Sequence, residues 1–161
     1  MLGPVLQQPA VENAWQGGHV AQLADAFARI TGRDLVLEMK LDSARLGQSA
    51  WDGDFALLSH RGDQQAMLNY GNRFALDLWQ CDWAGFVGMP SAATAPDDDV
   101  AERGAMMAAV AKDGFVSGYS GRRISAKGRL FRIENATIWR LIDRYGEPFG
   151  VAATFRTVRY P

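Results

Sequence analysis

From Gly118 to Trp139 the chain reads GYSGRRISAKGRLFRIENATIW, two runs of mostly β-favouring residues around Ala126-Lys127-Gly128, a short turn that ends on glycine. An antiparallel hairpin is the economical reading of that pattern. Along the second run, period-two alternation sets Phe131, Ile133, Asn135, Thr137, Trp139 and Leu141 on one side of a sheet and Leu130, Arg132, Glu134, Ile138 and Arg140 on the other. The first set is expected to face inward, yet it carries an amide and a hydroxyl, Asn135 and Thr137. An unpaired buried polar group costs roughly 1–3 kcal/mol. Those two groups are therefore expected to bond either to neighbouring protein groups or to a bound molecule.

The rest of the chain supplies helices and further strands to this hairpin. Pro4 and Pro9 mark residues 1–11 as an irregular leader, and 12–52 reads as a helical extension. Within it Val20, Leu23, Phe27 and Ile30 recur every three or four residues, the spacing of one helix face, until Gly32 stops the helix. A second helical stretch falls within 42–52. The core is expected over 53–158. Phe55 to Ser59 and Ala66 to Tyr70 form a strand pair turned at Gly62-Asp63. Asn72 is placed to cap a short helix, Arg73 to Trp79. Residues 81–96, rich in small residues, glycine and proline, read as irregular structure and short turns. Asp97, Asp98 and Asp99 open a helix that runs to about Lys112, because carboxylates oppose the positive end of the helix dipole. Gly114 ends it, and strands follow at roughly 115–125, 129–142 and 148–158. The order implies an α+β fold, a five-stranded antiparallel sheet with helices packed on one face. A cleft between sheet and helices is where such folds hold small molecules.

A chain of 161 residues, 48% hydrophobic, suits a single core. Its net charge of −1 and pI of about 6.1 give no overall attraction to nucleic acid or to an anionic membrane. The distribution is uneven, however: residues 115–161 hold nine of the seventeen basic side chains and three of the eighteen acidic ones. These arginines are expected to line the solvated side and pair with acids from the first half. Cys81 is the only cysteine, which rules out an intramolecular disulfide and any cysteine cluster for zinc or iron–sulfur. With no secretory-type start and no apolar run of the roughly 20 residues that span a bilayer, a cytoplasmic protein is expected.

Several blocks resemble the MEKHLA domain family, a PAS-like module found alone in bacteria and at the C-terminus of certain plant homeodomain-leucine zipper proteins. They are Leu58-Ser59-His60, Leu68 to Asn72, Pro90-Ser91, Gly114-Phe115, Gly118 to Ser125, Arg132 to Trp139, and Gly150 with Ala152-Ala153. In order they span about residues 13 to 156, and the resemblance is to the stand-alone bacterial type. It implies a PAS-like fold. The chain departs from the family pattern at Ala92, where a basic residue is usual, at Gln64-Gln65, where proline is common, and at Val151, which replaces a frequent glutamine. If those positions touch a ligand or partner, this chain binds something different.

The candidate ligand-binding residues are Asn135, Thr137, Trp139, Tyr119, Arg123, Ser125, Tyr70 and His60. Tyr70 and Tyr119 are candidates to aim hydroxyls inward. Arg123 suits a carboxylate or phosphate, which a guanidinium grips with two prongs. Tyr119, Gly121, Arg123 and Ser125 share one parity and so one side of the sheet, inner or outer. His60 is either a hydrogen-bonded strand-end histidine, a general base or a haem ligand. Neither it nor His19 has the spacing of a metal pair, and no phosphate-loop, dinucleotide, zinc-protease or nucleophile-elbow motif occurs.

The reading that results is a sensory module that binds a small molecule and acts through a protein partner or a homodimer, docking by the N-terminal helix. It involves no nucleic acid and no membrane. The alternatives are a small enzyme using the same cleft through His60, Tyr119 or Arg123, and a haem or flavin protein.

Overall fold

The computed structural model describes residues 6–35 and 42–161. Part of the expected leader, 1–5, and part of the expected helical extension, 36–41, lie outside them. A 3-10 segment, Val11–Gln16, leads into α1, Gly17–Thr31, and α2 follows at Ser43–Trp51. Gly32, at φ +71°, ends α1 in the left-handed conformation that glycine adopts at little cost. The two helices cross closely. A Cβ on Gly47 would stand 2.6 Å from the Trp15 carbonyl oxygen, and one on Gly17 would collide with the Ser43 carbonyl.

The sheet then begins with β1, Ala56–Arg61, and β2, Leu68–Gly71. Three helices follow: α3, Arg73–Trp79, α4, Trp83–Phe86, and α5, Val100–Asp113. The Asp97–Asp99 triplet forms a 3-10 turn at the head of α5, and Gly114 closes its end. The chain finishes with β3, Phe115–Ile124, β4, Leu130–Ile142, β5, Pro148–Phe155, and β6, Thr157–Arg159. The strand expected over 148–158 is broken at Arg156, so β6 pairs with β4 alone. Every pairing is antiparallel, in the order β2-β1-β5-β4-β3. The α+β class and the antiparallel sheet are those expected from the sequence.

Both faces of the sheet are covered. On one lie Trp79 of α3 and Met106 and Met107 of α5, against Leu58, Ile133, Ile138, Ala153 and Phe155. On the other lies α1. Its Phe27 meets the Trp139 ring edge-on at 4.9 Å, and the Trp139 indole N–H donates to the Leu23 carbonyl at 3.2 Å.

This places Trp139 on the face opposite to Ile133, contrary to the alternation expected from the sequence. The reason is local. Asn135 has φ +54°, and the β3–β4 register slips between Tyr119 and Gly121, which pair with Ala136 and Ile133. One extra residue in β4 therefore inverts the alternation beyond it. A second slip, between Val116 and Tyr119, puts an extra residue into β3 beside Gly118, φ +68°, and restores the register.

Candidate ligand-binding cavity

The bulge redistributes the expected site residues. Asn135 itself is exposed. Thr137, opposite Thr154, faces α1, and its hydroxyl lies 3.2 Å from that of Ser117. Trp139 is fully enclosed by the α1 interface. None of the three looks into the space beneath α5, so the expectation that Asn135 and Thr137 point under the core helices is corrected by a single left-handed residue. Tyr70 also stands on the α1 side, its ring 5.5 Å from that of His19 and 5.9 Å from that of Trp83. Its hydroxyl is buried without a partner, and burial raises its pKa.

Ser125 serves the hairpin turn. Its hydroxyl donates to Gln80 Oε1 at 2.7 Å and accepts the backbone N–H groups of Lys127 and Arg129.

His60, Tyr119 and Arg123 come together on the opposite face. Tyr119, Gly121 and Arg123 pair with Ala136, Ile133 and Phe131, which puts all three on the α5 side. Between this face and α5 is a cavity of about 60 Å³, whose wall includes Leu58, His60, Trp79, Ser91, Arg103, Met106, Arg123, Ile133, Ile138 and Val151. Tyr119 is not in the wall but supports it. The Arg123 guanidinium lies 5.5 Å from the Tyr119 ring centre and donates to the Tyr119 hydroxyl at 3.4 Å and to the Arg122 carbonyl at 2.7 Å. Gly121 lies under the pair, where any Cβ would strike the Tyr119 hydroxyl.

His60 donates from Nδ1 to the Arg61 carbonyl at 2.8 Å, leaving Nε2 as a buried acceptor without a partner. Burial, with a smaller contribution from the Arg103 charge, lowers its pKa, so the ring is neutral at pH 7. Trp79 is 1% exposed, and its indole N–H is also unpartnered. Burial raises the Tyr119 pKa, opposed by Arg123 and assisted by the exposed Glu102 beside it.

Ser59, Ser91, Thr94 and Arg103 are the polar cavity residues absent from the candidates drawn from the sequence. Arg103 sits three residues before Met106, so one turn of α5 carries both to the same side, and that spacing is the signal that would have found it. It donates to the Ser91 hydroxyl at 2.5 Å.

Ligand pockets for drug-sized molecules span roughly 300–1,000 Å³. Neither haem nor a flavin fits a space of about 60 Å³, although His60 stands in its wall. Among the described residues no group of three or more His, Cys, Asp or Glu side chains is placed to hold a metal ion, and no helix is long and apolar enough to cross a membrane. Cys81 lies outside the cavity, and burial raises its thiol pKa.

Solved structures of the same shape are PAS and light-sensing domains. A PAS domain from Colwellia psychrerythraea superimposes with a TM-score of 0.62 at 14% identity, over 73% of this chain and 94% of that one. An RNA-binding light-oxygen-voltage receptor gives 0.63 at 18% identity, over 76% of this chain and 35% of that one. The Rhodobacter sphaeroides LOV protein gives 0.56 at 12% identity, over 67% and 61%. These likenesses establish a PAS-like fold. No curated protein matches the sequence. The model of the MEKHLA domain matches residues 18–160, nearly the whole length described, and the chain accordingly belongs to the MEKHLA domain family.

Proposed function

We propose that this PAS-like domain is a cytoplasmic sensory module. It takes a small molecule into the cavity between the sheet and α5 and passes the event on through the N-terminal helix, to a protein partner or to a second copy of itself. The observation that carries the reading is Arg123, a guanidinium 6% exposed in the cavity wall with no carboxylate paired to it among the described residues. A buried charge left without a counter-charge is costly, and a ligand that completes it offsets that cost.

The route outward is short. Ser59 and His60 are consecutive on β1 and so project to opposite faces. His60 lines the cavity, while the Ser59 hydroxyl, which donates to Asn69 Oδ1 at 2.6 Å, receives His19 Nε2–H of α1 at 3.0 Å. A ligand that shifts His60 thus moves the residue that anchors α1. A reducing compartment suits the single cysteine.

The test is a screen of small metabolites, neutral and charged, against the purified protein by ¹H–¹⁵N spectra, with native mass spectrometry for oligomeric state. Saturable shifts at His60, Arg103 and Arg123 that extend to His19 are expected. A protein whose cavity residues respond to no compound would sink the proposal.

A further inference from the structure

We infer that the cavity takes a small carboxylate anion, gripped by Arg123 and Arg103 against an apolar wall. This rests on reading the cavity as a ligand site and adds the chemical class. Arginine stays protonated in proteins, so both guanidiniums bring a full charge to the space. No acidic side chain lines it. Arg123 donates to two neutral groups, the Arg122 carbonyl and the Tyr119 hydroxyl. The acids close by do not pair with it: Arg122, the next residue, holds both Asp98 and Asp99, and Glu102 stands beside the Tyr119 hydroxyl with no ion pair to Arg123.

Arg103, on α5, donates to an uncharged serine. Burial and the Arg123 charge both lower its pKa, so the two cations feel one another across the cavity. Two positive charges and no acidic residue in the wall together select an anion. The flat fork of a guanidinium matches the two oxygens of a carboxylate better than a spherical halide.

Size and lining narrow the class. A cavity needs roughly 10–15 Å³ of space to hold one water, so about 60 Å³ admits an anion of roughly four to six heavy atoms. Met106, Ile133, Ile138 and Val151 offer its carbon end a hydrocarbon surface.

The test titrates the protein at constant ionic strength with sodium acetate, sodium propionate, inorganic phosphate, sodium chloride and uncharged propionamide, following the Arg103 and Arg123 side-chain N–H resonances and the thermal midpoint. Acetate and propionate are expected to shift the resonances saturably and raise the midpoint, while propionamide and chloride do neither. Arg103→Gln, a half-buried helix position that should fold normally, is expected to weaken carboxylate binding by about tenfold or more. Arg123→Lys, which keeps the charge and loses the fork, should weaken it too. Propionamide binding as tightly as propionate, phosphate binding in place of the carboxylates, or an unchanged affinity in Arg103→Gln would each overturn the carboxylate assignment while leaving a ligand-binding cavity. Silence from every probe here overturns it as well, and only silence from the wider metabolite screen also removes the sensory reading.

Discussion

The Asn72 side chain makes four hydrogen bonds and is fully buried. Its Oδ1 accepts the backbone N–H groups of Ala75 and Leu57, each at 3.1 Å, and its Nδ2 donates to the carbonyls of Ala50 at 2.9 Å and Phe55 at 2.7 Å. One amide thus caps α3 and ties it to the end of α2 and the start of β1. Asn72→Ala removes a cap and strands several buried backbone groups, so a loss of about 3–5 kcal/mol is expected in urea unfolding. A loss under about 1 kcal/mol would mean that water replaces the bonds. The cap was legible in the sequence, because a lone Asn before an apolar helical run has few other uses. Its two donor bonds were not, since they join segments that only the folded chain brings together. Arg103 escaped for another reason: Met106, one turn further along α5, marks the side that meets the sheet, but an arginine is ordinarily read as a solvent-facing residue.

At the scale of elements, the boundaries followed from punctuation such as Gly32, Asn72 and Gly114, but the faces of β4 did not. Ala136, Ile138, Trp139 and Leu141 are all apolar, so either alternation fits the last half of the strand equally well. The choice is made by Asn135, one of the few residue types that enters the left-handed region with little strain. Asn135→Gly should therefore unfold within about 0.5 kcal/mol of the parent, whereas Asn135→Val should lose about 1–2 kcal/mol. Equal stabilities for the two variants would contradict the bulge. The α1–α2 crossing makes a matching demand. Gly47→Ala forces a methyl group against the backbone of residues 14–17, and a destabilisation of about 1–3 kcal/mol is expected from thermal unfolding. If it unfolds at the same temperature as the parent, the helices are not held that close.

The molecule as a whole encloses its sheet between α1 on one side and the core helices on the other, and a half-buried histidine stands on each. Burial lowers the His19 pKa from 6.5 to about 4 and lowers that of His60 as well. Between pH 6.5 and about 4 the unfolded chain binds protons that the folded chain refuses, so stability is complete above pH 6.5 and falls as the solution is acidified through that window. His19 alone accounts for on the order of 3 kcal/mol by pH 4. Thermal midpoints measured from pH 7.5 to 4.5 should drop steeply in the parent and less in His19→Gln, and parallel curves would refute the assignment.

The paired slips in the β3–β4 hairpin have a further consequence for any change in chain length. Its two arms are equal in contour only because one surplus residue in each cancels the other. Excising Gly118 alone would leave Phe115 and Val116 out of step with Trp139 and Ile138, and excising Asn135 alone would do the same with the opposite sign. Excising both should return a straight, evenly matched ladder, so the two deletions are expected to behave as mutual suppressors.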